Sequence, residues 1–572
     1  MKLSNRTSRV ILAVMIVLSL GVSVFYMSLK AGYHEDELLT YNLANSSKQL
    51  ALGDWSTPQD MNEYLAVTPE HRFDYQQVVD NQIIDASHPP FYYAMVHTVC
   101  SFFPGVFSKW LAFVINLVMM TGSLIMLYKI GKRVTDTNLY ALIAVGGYAL
   151  SISCITSTIY LRMYSSLMFF VLAFIHITLW FYDKKNTVGW KHCLVMLPVV
   201  TLGILTQYYF ILMAGLAGLV FLIFKIREKC FKDLFWYIGT AVVGAGLALA
   251  IYPHIIENVL GGNRGLGSLD LNIDLITIVT YVFYKLATYV RILAKEFFLD
   301  QIWLLVLCTV VALGFGIFFR FVKKKKLPQK AWFIIVPGVV YFALIALVSP
   351  FNSDRYVMAS LPLISMMFTF AYIRIVNFTI KKPRFHILMP VCMLLVSILG
   401  FVTVRPYYIY GKTNLNTPQT KDCVFVGTAM LEWNKCIDKF MRYDNTMIVQ
   451  TTEMSHTLAA DLENFANARG IVTNGKITAF ADAYMNNGDV DRQEANSITA
   501  LSTDSKIRSL DEVTVYISRL ADSDTVIDYI TQNTPLKNHE LIQKDYSFDE
   551  FYNWYDYFVE TESYCNVYRF YR

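Results

Sequence analysis

Long apolar runs alternate with short polar segments along the chain as far as about residue 404. Each run has roughly 17–25 residues, which is the length of a helix that crosses the hydrocarbon core of a bilayer. The first run, Val10 to Leu29, follows Lys2, Arg6 and Arg9. It is long for a signal-peptide core and no Ala-x-Ala cleavage site follows it, so a retained transmembrane helix is predicted.

Basic clusters between the runs predict how the chain threads the membrane. Cytoplasmic loops are enriched in Lys and Arg, and an apolar stretch between two cytoplasmic clusters must cross the bilayer twice. We therefore expect about eleven transmembrane helices, a cytoplasmic N-terminus and a C-terminal region on the outer face. The clusters are Lys129–Arg133, Lys184–Lys191, Lys225–Lys232, Lys323–Lys326 and Arg374–Arg384.

Composition agrees with this pattern. Hydrophobic residues make up 55% of the chain and charged residues 16%, with a net charge of +5, whereas soluble chains average about 25% charged residues. The basic excess lies in short loops, and no basic face interleaved with aromatic residues suggests a nucleic-acid partner. The predicted fold class is a polytopic α-helical membrane protein.

The region from residue 405 to residue 572 has a different pattern and predicts a separate extracytoplasmic α/β domain of unknown role. The segments "CVFVG", "TMIVQ" and "VTVYIS" are typical of short buried strands. "LEWNKCIDKFMRY" and "SHTLAADLENFANARG" are typical of helices. Residues 1–404 form the predicted transmembrane catalytic domain, which includes a first outer loop, 30–105, with interfacial helices. Two of Cys423, Cys436 and Cys565 could form a disulfide, and the sequence does not choose between the pairs.

Three acids, Glu35, Asp36 and Glu37, follow the first apolar run within a few residues. Carboxylates held at a bilayer surface can act as general bases when their pKa values rise. The alternative is that the acids are merely solvated, which is the commoner fate of such a run. The choice depends on whether other reactive side chains lie on the same face of the membrane.

The segment "DASHPPFYY" contains Asp85 and His88 in front of two prolines and three aromatic residues. The prolines stop a helix and favour an extended backbone, and the aromatic side chains suit the headgroup layer. The segment is interpreted as a loop that presents Asp85 and His88 at the membrane surface. A simple re-entry turn with an aromatic belt is the alternative.

Two arginines lie at predicted hairpin tips on the same face, Arg162 in "LRMYSS" and Arg355 in "SDRYVM". A guanidinium group at the apolar boundary can grip a phosphate with two parallel hydrogen bonds. The alternatives for Arg355 are an ion pair with Asp354 or snorkelling toward the headgroups. Together, the acids, the histidine loop and the arginines suit a substrate whose phosphate is anchored in the membrane by a lipid.

These motifs resemble a known family. "DE" after the first helix, "HPPFYY" about 50 residues later, "LRMYSS" and "DRYVMASLPL" are similar to motifs of the membrane-embedded GT-C glycosyltransferases. The most similar branch contains protein O-mannosyltransferases, aminoarabinose transferases and RgtA/B/C/D-like enzymes of the family 39 type. The resemblance covers roughly residues 10–400.

The resemblance implies an inverting transfer of a sugar from a polyprenyl-phosphate donor to a cell-envelope acceptor hydroxyl, without a cofactor and usually without an essential metal. By this resemblance Asp36 matches the general base, and Glu37 helps to place acceptor or donor. Arg355 and Arg162 bind the lipid phosphate, and His88 positions the loop or the donor. Two departures remain, since Glu35 also competes for the base position and Asp85 lies three positions before His88.

Two other activities are considered. A transporter or flippase of lipid-linked sugars would need ionisable groups within the membrane, and the predicted spans hold few. A hydrolase or phosphotransferase acting on lipid-linked phosphates would need a metal cluster or nucleophile motif, and none is evident in the sequence. A transferase is therefore the favoured hypothesis.

Overall fold

The structure is a computed structural model of the 572-residue chain. It describes residues 3–572 except for 31, 49, 261–274, 350–352, 381–387, 405, 407, 409–419, 429–432, 434–435, 454–496 and 548–563.

Helices dominate the chain as far as residue 403. They are α1 (Asn5–Leu29), α2 (Glu35–Asn45), α3 (Pro58–Leu65), α4 (Tyr75–Asp85), α5 (Phe91–Ser101), α6 (Lys109–Thr135), α7 (Asn138–Ala149), α8 (Ile152–Ile159), α9 (Tyr164–Tyr182), α10 (Trp190–Thr206), α11 (Tyr209–Arg227), α12 (Phe231–Ile251), α13 (Ile255–Leu260), α14 (Leu275–Phe297), α15 (Ile302–Ile317), α16 (Trp332–Ile335), α17 (Tyr341–Val348), α18 (Leu361–Thr379) and α19 (Leu388–Thr403). Single π-helical turns, Phe318–Val322 and Val336–Val340, extend α15 and join α16 to α17.

The apolar helices fit a chain that crosses the membrane many times, and the number of about eleven spans stays a prediction. Within the described residues, eight helical segments are long and apolar enough to cross a membrane. The pair α7 and α8, bent by 60°, would make a ninth if the two helices form one span, and α10 and Leu394–Thr403 are shorter apolar helices. The predicted fold class, a polytopic helical membrane protein with a C-terminal domain that contains a sheet, is confirmed.

The chain divides into two compact units. The first, here called the membrane unit, comprises Met1–Leu29, Asp74–Val99 and Ser108–Ile409. The second, here called the sheet unit, comprises Lys30–Phe73, Cys100–Phe107 and Tyr410–Arg572. The sequence-based prediction assigns the whole loop 30–105 to the transmembrane domain, whereas the structure divides this loop between the two units.

Close helix contacts hold the membrane unit together, and α6 and α9 illustrate how. A Cβ atom added at Gly122 of α6 would lie 2.6 Å from the ring of Phe169 in α9. That distance is far below ordinary van der Waals contact, so only glycine allows this approach. The bend between α7 and α8 has a cap of its own, because the Ser151 hydroxyl accepts a hydrogen bond from the backbone N–H of Cys154.

The sheet unit is built on one six-stranded sheet with the order β1-β3-β2-β4-β6-β5. Strands β3, β2 and β4 are parallel, and three antiparallel pairs complete the sheet: β1 with β3, β6 with β4, and β5 with β6. The strands are β1 (Trp55–Ser56), β2 (Asp422–Gly427), β3 (Asn445–Gln450), β4 (Glu512–Ser518), β5 (Asn538–Ser547) and β6 (Tyr564–Tyr571). Short helices accompany them: α20 (Ile437–Phe440), α21 (Ala500–Thr503), α22 (Ser505–Ser509) and α23 (Ser523–Asn533).

The three predicted strands of the C-terminal region are β2, β3 and β4, the parallel centre of the sheet. Their side chains are almost entirely buried, which is why each appears as a short continuous apolar run. Of the first predicted helix the structure describes α20, and "SHTLAADLENFANARG" lies outside the described residues. Cys423, Cys436 and Cys565 are buried thiols that form no disulfide with one another.

The first loop also contributes to the sheet. Trp55 and Ser56 of β1 lie opposite Met447 and Thr446 of β3 in antiparallel register. The Trp55 Nε1–H donates to a carboxylate oxygen of Asp504 at 3.0 Å. These contacts explain why residues 30–73 pack in the sheet unit, although 350 residues or more separate them from most of it along the chain.

Candidate active site

Arg162 occupies the turn between α8 and α9 and is the centre of a buried polar group in the membrane unit. Its side chain is only 2% exposed. The Arg162 Nη1 donates to the Tyr93 Oη at 3.0 Å, and its Nη2 lies 3.3 Å from the His88 Nε2. Because a guanidinium group has no acceptor, the His88 Nε2 accepts this hydrogen bond.

Asp85 completes this group through the other side of the imidazole ring. With Nε2 acting as acceptor, the neutral His88 ring carries its proton on Nδ1. The His88 Nδ1 lies 3.2 Å from the Asp85 Oδ2, so it donates to that carboxylate. The hydrogen bonds from Arg162 to His88 and from His88 to Asp85 hold the guanidinium group in position. A second hydrogen-bond partner orients a metal-binding histidine in the same way.

The backbone around His88 explains how the loop presents these groups. Helix α4 ends at Asp85, and Ala86 takes a left-handed conformation with φ of 52°. Pro89 and Pro90 follow, and α5 begins at Phe91. The helix end, the left-handed residue and the prolines turn the chain within five residues, which leaves His88 between the two helices.

Arg355 belongs to a second polar group, which contacts the same α8–α9 turn through Tyr160. Its Nη1 donates to the Tyr160 Oη and its Nη2 to the Tyr356 Oη, both at 3.3 Å. The ring of Tyr160 stacks on that of Tyr408, with centroids 3.8 Å apart and an interplanar angle of 11°. Tyr160 and Arg162 lie two residues apart in this turn. A hydrogen-bond partner of Arg355 therefore lies next to Arg162, the other predicted phosphate-binding arginine.

The carboxylate of Asp354 points into this second group. The Tyr408 Oη donates to the Asp354 Oδ1 at 2.7 Å, and the Ser353 hydroxyl lies 3.3 Å from the same oxygen. Asp354 is 2% exposed. Burial raises the pKa of the Asp354 carboxyl, and the hydrogen bond from Tyr408 partly opposes that rise.

An apolar cavity lies elsewhere in the membrane unit, next to the bend between α7 and α8. It has a volume of about 530 Å³ and is lined mainly by apolar side chains of α15, α18 and α19. Lys295 and Glu296 at the end of α14 also line it, and Glu296 is 1% exposed. An apolar ligand that also carries a polar group matches this lining.

The three predicted acids occupy the first turn of α2 in the sheet unit, and the structure gives them different surroundings. The Glu37 side chain is fully buried, whereas the Asp36 side chain is 16% exposed and Glu35 is half-buried. The Glu37 Oε2 accepts the backbone N–H of His34 at 2.8 Å, and the His34 Nδ1 accepts the backbone N–H of Asp36 at 3.1 Å. These reciprocal bonds form a capping box.

His34, Glu35 and Asp36 also form a group with metal-ligand spacing. Each offers one ligand atom, and the three atoms lie within 4.8 Å of one another. One nitrogen and two carboxylate oxygens would suit a divalent cation. The His34 Nδ1 serves as the helix cap, so a cation bound through that nitrogen would compete with the cap, whereas a cation bound through Nε2 would not. The expectation that no metal is essential stays a prediction.

Sequence reasoning missed several members of these groups. Lys30 carries no distinguishing signal in the sequence, but its Nζ lies 2.6 Å from the Glu37 Oε1 and both side chains are fully buried. Tyr93 stands within "HPPFYY", a signal that could have found it. Tyr160 and Tyr408 carried no local signal, because their stacking depends on the fold.

Comparison with known proteins finds a family match for part of the membrane unit. Residues 87–256 match the sequence model of the family described as dolichyl-phosphate-mannose-protein mannosyltransferase. This match confirms the resemblance to membrane glycosyltransferases. The matched segment contains His88, Tyr93, Tyr160 and Arg162, so the buried arginine group lies entirely within it apart from Asp85.

Two solved structures are similar at low identity. ArnT from Cupriavidus metallidurans, bound to undecaprenyl phosphate, is 10% identical, and the match covers 97% of each chain with a TM-score of 0.48. AglB from Archaeoglobus fulgidus, in complex with an inhibitory peptide and a dolichol-phosphate, is 11% identical. That match covers 76% of this chain and 64% of AglB with a TM-score of 0.37. No curated protein matches the sequence.

Proposed function

We propose that the protein transfers a sugar from a polyprenyl-phosphate-linked donor to a hydroxyl group of a cell-envelope acceptor, with inversion at the anomeric carbon. The observation that carries this proposal is the buried Arg162, which is held by His88 and Tyr93 within the segment that matches a lipid-phosphate-sugar transferase family. A fixed guanidinium group at a membrane boundary is suited to a lipid phosphate.

In this mechanism Arg162 and Arg355 bind the donor phosphate. As the bond between the anomeric carbon and the phosphate oxygen breaks, the electron pair passes to that oxygen. Donors that are already oriented stabilise the growing charge without reorganisation. His88 and Asp85 hold Arg162 in position, and the apolar cavity of the membrane unit offers a place for the isoprenoid chain.

Asp36 is the proposed general base. It removes the proton from the acceptor hydroxyl as the oxygen attacks the anomeric carbon, and free polyprenyl phosphate leaves with its phosphate intact. Its partial exposure in the first turn of α2 supports this choice over the buried Glu37. Glu35, next to it and half-buried, is proposed to help position the substrate.

The same proposal assigns the chain to the plasma membrane, with the N-terminus in the cytoplasm and the C-terminal domain outside. Contacts among the basic segments support it. Lys132 near the end of α6 donates to the Asn5 side chain, and Asp183 after α9 pairs with both Arg133 and Lys330. Segments that the positive-inside rule assigns to the cytoplasm therefore lie together.

The test uses purified protein in membranes with a panel of polyprenyl-phosphate sugars. We expect the native protein to consume a donor and Asp36→Asn to lose that activity. Asp511→Asn is the matched control, because the Asp511 side chain is 94% exposed. If Asp36→Asn consumed donor at the native rate, the base assignment would be wrong. If no donor were consumed but lipid-linked sugar crossed vesicles only with native protein, a transporter would replace the transferase.

A further inference from the structure

A buried ion pair joins the residue after α1 to the first turn of α2. Lys30 follows the last residue of α1, and its Nζ lies 2.6 Å from the Glu37 Oε1. Both side chains are 0% exposed. At this distance, away from water, the hydrogen bond carries charge on both partners and is of the strong kind.

Three contacts connect this ion pair to Asp36. The Lys30 ammonium holds one oxygen of Glu37, and the other oxygen accepts the His34 backbone N–H. The His34 Nδ1 in turn accepts the Asp36 backbone N–H. The Lys30–Glu37 pair thus fixes the capping box, and the capping box fixes the backbone on which the Asp36 side chain stands.

Removing only one charge of the buried pair destabilises this arrangement. A buried carboxylate without its cation loses the interaction that offset its removal from water. Without the lysine charge, Glu37 loses the ion pair at its Oε1, which makes its buried charged position less favourable relative to an outward rotamer. Turning outward would break its bond to His34 and release the first turn of α2.

We propose that Lys30 is a positioning residue that holds Asp36 in its reactive orientation through Glu37 and His34, an inference that rests on the proposed function of Asp36. Glu37 therefore supports the backbone through its buried carboxylate, and it is Asp36 that meets the acceptor.

The test compares three variants. Lys30→Met keeps the length of the side chain and removes its charge, and Lys30→Arg keeps the charge. The double variant Lys30→Met with Glu37→Gln removes both charges and leaves a carbonyl oxygen that can accept from His34. We expect Lys30→Met to lower kcat by about 100-fold, the scale of a misplaced reactive group, with the donor KM nearly unchanged. Lys30→Arg should retain most activity.

The double variant is the decisive arm. We expect its kcat to be at least about tenfold higher than that of Lys30→Met. The reason is that the double variant has no buried carboxylate that lacks the Lys30 charge, while the cap remains. If Glu37 touches the substrate, the double variant should be no better than Lys30→Met, and the proposal fails. Native kcat in Lys30→Met would overturn it as well.

Hydrogen exchange distinguishes failure of this proposal from failure of the proposed function. The backbone amides of His34 and Asp36 should exchange faster in Lys30→Met and return to the native rate in the double variant. Unchanged exchange in Lys30→Met would overturn the proposal whatever the activity. If native protein consumed no donor while the exchange changed as expected, the transferase function would fail and the structural link alone would stand.

Lys225→Met is the matched control for these measurements. Lys225 and Asp233 form another fully buried ion pair, at 2.9 Å, in the membrane unit. Its disruption should lower the thermal stability of the protein without changing exchange at residues 34–36. An equal change at those residues would mean that the Lys30→Met effect is general destabilisation, and it would overturn the proposal.

Discussion

Arg162→Lys tests whether the geometry of the buried guanidinium group, and not only its charge, is needed for activity. In the native protein Nη1 and Nη2 of the same side chain donate to Tyr93 and His88. Lysine keeps the positive charge but has a single compact ammonium group. It cannot reproduce a planar fork that contacts both residues and still presents donors to a phosphate.

The magnitude follows from the hydrogen bonds that lysine cannot make at this position. A hydrogen bond to a charged group contributes about 1.5–3 kcal/mol. Loss of one such bond between Arg162 and its ligand in the transition state would lower kcat/KM by roughly 10- to 150-fold, since about 1.4 kcal/mol corresponds to a factor of ten. Tyr93→Phe removes only one hydrogen bond that orients Arg162, and we expect a smaller decrease, below about tenfold.

The assay is the initial rate of donor consumption at donor concentrations below KM, for native protein and each variant. Arg133→Lys is the matched control, because it makes the same chemical change at an arginine that pairs with Asp183 elsewhere in the membrane unit. We expect this control to keep near-native kcat/KM. A native rate in Arg162→Lys, or an equal decrease in Arg133→Lys, would refute the reasoning.

Three further predictions concern the sheet unit. A hydrogen bond from Lys48 is the main cause that lowers the Asp60 pKa to about 2, so the Asp60 carboxylate stabilises the folded state above about pH 4 and loses that contribution as pH falls toward 2. Asp60→Asn should weaken this acid dependence in urea unfolding, and an unchanged dependence would contradict it. Treatment with EDTA should leave donor consumption unchanged, whereas a loss reversed by Mn²⁺ or Mg²⁺ would point to a metal at His34, Glu35 and Asp36. The three buried thiols of the C-terminal region should react with maleimide only after denaturation, and a gel shift upon reduction would contradict the absence of a disulfide among them.

The membrane-spanning pattern could be predicted because it depends on local properties. The length of an apolar run and the charge of the loop beside it are visible without knowing any partner. The helices α10 and α11 occupy the stretch of the predicted short-armed hairpin for this reason. The central strands β2, β3 and β4 were recovered as buried apolar runs.

The remaining features depend on distant partners. β1 has only two residues, and its pairing with β3 across about 390 residues leaves no periodic signal. β5 lies at the edge of the sheet and contains polar residues at both faces, which hides it from a search for apolar runs. The division of the first loop between two units follows from these contacts.

The candidate site likewise combines features that the sequence predicts with features that depend on the fold. Asp85 and His88 are three residues apart, so their association could be expected from the sequence. The contact between His88 and Arg162 spans 74 residues, and the stacking of Tyr160 on Tyr408 spans still more. The sequence also could not tell that Glu37 is buried against Lys30 while Asp36 stays partly exposed, because burial depends on packing.

The identity of the lipid product tests the central claim most directly. Native protein would be incubated with a polyprenyl-phosphate sugar, and the lipids would be measured by mass spectrometry. Sugar transfer breaks the bond between the anomeric carbon and oxygen, so the account predicts free polyprenyl phosphate in an amount equal to the donor consumed. Polyprenol as the product would mean that the phosphate leaves with the sugar, and it would contradict the proposed glycosyl transfer.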